Sequence, residues 1–140
     1  MSDKPEVIEL LLNDVLQFHI ELTQKYTMES GIHDMNLLQS AVNAPFQTFG
    51  GMDLYPTVFD KAARLCYGLA KNHPFSDGNK RTAVHSMLVY LYINNIFLEY
   101  GQLDLENVII AVAAGNMTAD ELSQWIENHV GAEQPPAGED

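Results

Sequence analysis

The stretch Met87-Leu88-Val89-Tyr90-Leu91-Tyr92-Ile93 sits in a segment of helical character and offers water no polar side of its own. A helix that is apolar all round must be enclosed by other helices. This segment, from about Asn79 to about Asn94, is therefore predicted to be the central rod of an all-α bundle.

The partners for such a rod can be read on either side of it. From Val7, the residues Ile8, Leu11, Leu12, Val15, His19 and Leu22 recur at spacings of three and four, which predicts an amphipathic first helix. Asp34 caps a short helix through Leu37, Leu38 and Val42 that must end before Pro45. Thr57 opens a third helix with Val58, Ala62, Leu65, Cys66 and Leu69 on one face, stopping near Asn72 because His73 precedes Pro74. After the rod come a helix carrying Val108, Ile109, Val112 and Ala113 up to Gly115, and a last one that opens with the capping box Thr118–Glu121 and runs to His129. Residues 1–130 form one domain in this reading. Residues 131–140, acidic and rich in Pro and Gly, form a disordered tail.

Between Phe46 and Pro56 the spacing changes. Two short extended runs flank Gly50-Gly51, and glycine supplies the positive φ that a tight hairpin turn needs, although an irregular loop satisfies the same residues. If a hairpin forms, its free edge can take an extended partner segment by strand addition.

Charge narrows the functions open to the chain. Seven basic against nineteen acidic residues leave a net charge of −12, the wrong sign for binding that depends on neutralising nucleic-acid phosphates. No apolar run approaches the roughly 20 residues of a membrane span, and the first residues, MSDKPEV, carry no signal pattern, so a cytoplasmic protein with neither nucleic-acid nor membrane partner is expected. The single cysteine, Cys66, is read as a small buried hydrophobe. Five of the seven basic residues nevertheless fall within 61–81, beside a single acid, Asp77. That local excess of cations suits a small polyanion.

The cations end in the segment Asn72 to Ala83, NHPFSDGNKRTA. Asp77-Gly78 is a turn signal and Asn79 a possible cap, which puts Lys80 and Arg81 in the first turn of a helix, where positive charge opposes the helix dipole. Free N–H groups, a glycine and two cations make a phosphate-sized site. His73 can take a proton from an attacking hydroxyl near neutral pH, and Asp77 can ligate Mg²⁺ beside bound phosphates. These are the parts that phosphoryl or nucleotidyl transfer requires. A plain loop closed by an Asp77–Arg81 surface ion pair is the competing reading. His19 is read as a core histidine, and His33, His85 and His129 lack metal-ligand spacing, so no zinc site is proposed. Trp125 and the methionines are assigned to core or interface, and neither a P-loop nor a G-x-S-x-G elbow is present.

The run His73-Pro74-Phe75-Ser76-Asp77-Gly78-Asn79-Lys80-Arg81-Thr82-Ala83 resembles the signature loop of the Fic/Doc (Fido) superfamily, H-x-F-x-[D/E]-G-N-G-R-x-x-R in its Fic branch. With Lys80 in place of a glycine it is similar to the Doc, or death-on-curing, branch. GIHDMNLLQSAV and TFGGMDLYP extend the likeness over most of residues 7–130. The resemblance implies a Fido-fold helical bundle with a β-hairpin flap, and a toxin neutralised by a small antitoxin. It makes His73 the base, Asp77 the Mg²⁺ ligand, and Ser76, Gly78, Asn79, Lys80 and Arg81 the grip on the phosphates of ATP, with Lys80 and Arg81 also counted as catalytic. Phe75 anchors the loop, and Phe49, Gly50, Gly51 and Met52 form the flap that clamps the target. AMP-transferring Fic proteins have a glycine and a second arginine where this chain has Lys80 and Val84. In the Doc branch the lysine accompanies a reversed nucleotide and transfer of the terminal phosphate to translation elongation factor Tu. Gly78, where Doc tends to have alanine, is closer to Fic, so AMP transfer and a non-catalytic binding module stay as alternatives. A self-inhibitory pattern, S/T-x-x-x-E-G/N, can be laid over Ser123, Glu127 and Asn128 but is too degenerate to separate from ordinary helix surface.

Overall fold

Small residues decide which helix lies at the centre. In a computed structural model that describes residues 6–131, the helices are α1 (Leu12–Lys25), α2 (Met35–Asn43), α3 (Val58–Asn72), α4 (Asn79–Ile93), α5 (Gln102–Ala114) and α6 (Ala119–Asn128). One antiparallel hairpin, β1 (Thr48–Phe49) and β2 (Met52–Asp53), joins α2 to α3 after a 3-10 turn at Ala44–Phe46. The fold is thus all-α with one small hairpin. The tail assigned to residues 131–140 lies outside the described residues except for Gly131.

The rod at the centre is α3, not α4. Helix α3 buries Ala62, Ala63, Gly68 and Ala70 along with Leu65, Cys66 and Leu69, and packs against α2, α4, α5 and α6. Side chains this short let neighbouring backbones close in from several directions. A Cβ placed on Gly68 would stand 2.9 Å from the Ala41 Cβ of α2. Helix α4 is covered by α1, α3 and α5, which leaves Tyr92 60% exposed. Aromatic and aliphatic content alone over-predicted its enclosure, because tyrosine tolerates a wet edge. Burial pushes the Cys66 thiol up to about 12, so it is an inert packing group.

The first helix is shorter than its pattern. It opens at Leu12, and residues 6–11 are non-helical and tied to the end of α4. The Asn94 side-chain amide clasps the main chain there: Ile8 N–H donates to Oδ1 at 2.8 Å, and Nδ2 donates to the Ile8 carbonyl at 2.9 Å. These backbone groups are already paired outside a helix, and Leu10 reaches the core while Ile8 and Leu11 face water. The other helix limits agree with the capping and proline signals, including the reciprocal Thr57–Asp60 and Thr118–Glu121 caps.

The hairpin forms as the glycines allow, with Thr48 opposite Asp53, Phe49 opposite Met52, and both Gly50 and Gly51 at positive φ. Its base is tied to α3 by buried Lys61, whose Nζ donates to the Asp53 carboxylate and the Pro45 carbonyl, each at 3.3 Å.

The α2–α3 contact is close enough to test. Gly68→Ala is expected to lower stability by about 1–3 kcal/mol in chemical denaturation, because the cost of overpacking against Ala41 exceeds the helix-propensity gain of up to about 1 kcal/mol.

Candidate active site

His73 ends α3 in the left-handed region, at φ 51° and ψ 57°, a conformation costing a non-glycine residue roughly 1–2 kcal/mol. Such strain persists only where the surroundings over-determine it. Here they do. The Pro74 carbonyl accepts from the N–H groups of His33 and Asp34 at 2.8 and 3.0 Å, and Ser76 N–H donates to the Gly31 carbonyl at 3.1 Å, so the segment before α2 runs alongside the loop. Phe75, 2% exposed, lies flat on the His19 ring with centroids 3.8 Å apart. It anchors the loop as expected, and His19 is a core histidine at 3% exposure with Nε2 at 2.9 Å from the Asp77 carbonyl oxygen.

The loop then turns into α4. Gly78 occupies the N-cap with φ 76°, and no side chain caps the helix. The Gly78 carbonyl accepts the first helical bond, from Thr82 N–H at 2.9 Å. The N–H groups of Asn79, Lys80 and Arg81 consequently have no acceptor among the described residues, which makes them the donors an anion would meet. A Cβ on Gly78 would meet the flexible end of the Met28 side chain, which can give way, so the demand for glycine here comes from the positive φ.

The polar side chains divide into two groups. His73, Ser76, Asp77, Lys80 and Arg81 are exposed around this helix end. Asn79 is committed to the scaffold: Phe75 N–H donates to its Oδ1 at 2.8 Å, and its Nδ2 donates to the Phe75 carbonyl at 3.0 Å. Its backbone N–H, unlike its side-chain amide, has no partner among the described residues. The Asp77 carboxylate accepts from Gly78 N–H at 2.8 Å and Glu29 N–H at 3.1 Å. Two of its roughly four lone-pair positions stay open. No group of three or more His, Cys, Asp or Glu side chains converges among the described residues. One carboxylate completed by phosphate oxygens and waters is how Mg²⁺ is commonly held, so Asp77 fits that ion.

Arg81 is not paired with Asp77. Its guanidinium lies 4.0 Å from the Tyr26 ring centroid, at the mouth of a cleft of about 600 Å³ between α1, α4 and α5. Lys25 and Lys80 share that mouth, and Leu88, Leu105, Ile109 and Ile110 contribute apolar wall. Burial lowers the pKa of His85 in the same cleft, opposed by Glu21 and assisted by Lys25. The base of the hairpin is tied to Lys61, which precedes His73 by twelve positions, about 18 Å along α3 at 1.5 Å per residue. On the hairpin Phe49 and Met52 are 79% and 74% exposed.

Ser123 departs from its reading as helix surface, being buried with its hydroxyl donating to Asp60 Oδ1 at 2.7 Å. It fastens α6 to α3.

Residues 9–91 match the Fic/DOC family, and this span contains the hairpin, α3, the loop and nearly all of α4. The chain belongs to the Fic/DOC family. Among relatives, the protein named Toxin Doc from Mycolicibacterium smegmatis is 35% identical over 108 residues, covering 76% of this chain and 83% of that protein. Membership puts the motif in its structural context: the loop that carries the family signature is the strained, doubly tied segment described above. Sequence reading put His19 in the core, as found, but missed its contacts with the loop and the main-chain donors of His33, Asp34 and Glu29. A polar ring at a core position of α1 was the signal available for His19; backbone donors leave none.

Asn79→Ala removes two part-buried hydrogen bonds. It is expected to cost about 1–3 kcal/mol in urea denaturation, an effect a purely phosphate-binding side chain would not have.

Proposed function

We propose that the chain is the toxin of a toxin–antitoxin pair and transfers the terminal phosphate of ATP to a hydroxyl of a protein target, elongation factor Tu being the target the family resemblance brings. Lys80 carries this reading. A long cationic side chain stands at the second residue of α4, where AMP-transferring relatives keep bare glycine backbone, and Val84 replaces their second arginine in the cleft wall. The α4 end therefore offers a mobile point charge to a phosphoryl group instead of a close backbone approach.

In this mechanism a ring nitrogen of His73 takes the hydroxyl proton of the target. The freed oxygen bonds to the γ-phosphorus, the bond to the β-phosphate oxygen breaks, and ADP leaves. The N–H groups of Asn79, Lys80 and Arg81, with Lys80 Nζ, hold the charge on the transferring oxygens. Mg²⁺ at Asp77 would supply further neutralisation. The exposed strands of the hairpin would grip the target backbone, with its hydroxyl reaching across to His73.

The antitoxin is assigned to the α1/α4/α5 cleft. Its apolar wall suits the apolar face of a helix, and the cluster of Lys25, Lys80 and Arg81 favours an acidic residue at one end of that helix. Ile110 is exposed in the wall, so Ile110→Glu should fold, remain toxic, and lose protection by the co-expressed antitoxin.

The test of the chemistry is label transfer onto elongation factor Tu and onto a cell lysate from ATP labelled at the γ or the α phosphate, with His73→Ala as control. Transfer from γ alone, absent in the variant, is expected. Transfer from α would replace the proposal by AMP transfer, which Gly78 favours. No transfer, with growth arrest unaffected by His73→Ala, would leave a binding module.

A further inference from the structure

The peptide plane between Asp77 and Gly78 can face two ways, and only one of them lets Gly78 N–H hold the Asp77 carboxylate. In a trans peptide the carbonyl and the N–H point in opposite directions. In this structure the Asp77 carbonyl turns inward to His19 Nε2 at 2.9 Å, and Gly78 N–H turns outward to Asp77 Oδ1 at 2.8 Å. Rotating the plane by half a turn carries Gly78 from φ 76° to the negative side, which glycine populates about as readily. The reversed plane would put a carbonyl oxygen where Gly78 N–H now meets Asp77 Oδ1, setting two acceptors against each other beside the proposed Mg²⁺ ligand. Local sterics at a glycine do not forbid that state, so something else must select against it.

We infer that His19 is the positioning residue that locks this plane. A carbonyl oxygen only accepts, so Nε2 carries the ring proton. The ring cannot swing away, because it is 3% exposed and lies within 6° of parallel on Phe75. Phe75 is itself held at both main-chain groups by Asn79. The donor direction is thus set by the core, and one part-buried hydrogen bond orients both the outward N–H and, through it, the Asp77 carboxylate. The consequence for catalysis rests on the phosphate-transfer reading; the lock itself does not.

Three forms of the full chain separate these two statements. His19→Phe keeps a ring on Phe75 and removes the donor, and His19→Gln puts back a side-chain N–H of similar reach. By ¹⁵N relaxation dispersion at Gly78, His19→Phe should populate the reversed plane about fivefold more than the wild type, the factor that one ordinary hydrogen bond supplies. His19→Gln should return it toward the wild-type value, with both variants retaining a cooperative thermal transition. In the transfer assay, the half-saturating concentration of Mg·ATP should rise in His19→Phe by the ratio of the wild-type to the variant fraction holding the plane as seen here, and recover in His19→Gln. A Gly78 signal unchanged in His19→Phe, or His19→Gln as perturbed as His19→Phe, overturns the lock. If the wild type transfers no phosphate, the phosphotransfer reading falls, and the dispersion comparison still decides the lock.

Discussion

Phe75 pressed against His19 holds the loop to the body of the protein. Burying that ring fixes the chain between the end of α3 and the start of α4, and every polar group of the site is within a few residues of it. The main-chain bonds from His33, Asp34 and Ser76 and the two from Asn79 surround the same point. A strained histidine and an uncapped helix can both persist there because the hydrophobic and hydrogen-bond gains are concentrated on one residue.

The bundle treats its helix ends unequally. α2, α3 and α6 begin with side-chain acceptors from Asp34, Thr57 and Thr118, and α3 and α6 add a return bond from the third residue. α4 begins with glycine and two cations. A helix start left open beside positive charge, in a molecule of net charge −12, is an electrostatic exception that concentrates attraction for anions at one place.

Much of the architecture was legible because it rests on local rules. Asp34, Thr57 and Thr118 cap where short polar side chains should, Pro45 and Pro74 end helices, and Gly50-Gly51 turn the hairpin. What escaped depends on partners distant in sequence. The pairing of Ile8 with Asn94 converts an apparent helical turn into a non-helical arm across 86 positions. The centrality of α3 follows from alanines and a glycine whose value lies in what they allow neighbours to do, a property that apolar periodicity does not weigh. In the site, the motif exposed His73, Asp77, Lys80 and Arg81 to view, but the commitment of Asn79 to the scaffold and the inward role of His19 required three-dimensional contacts. Arg81 likewise gave no sequence sign of resting on Tyr26.

The left-handed backbone at His73 also bears on how such a chain evolves. Asparagine and glycine adopt that conformation at lower cost than histidine, so exchanging His73 for either relieves strain while removing the proposed base. Under the proposed mechanism, stability and activity are set against each other at a single position, and one substitution at His73 relieves backbone strain in the same step that removes the base.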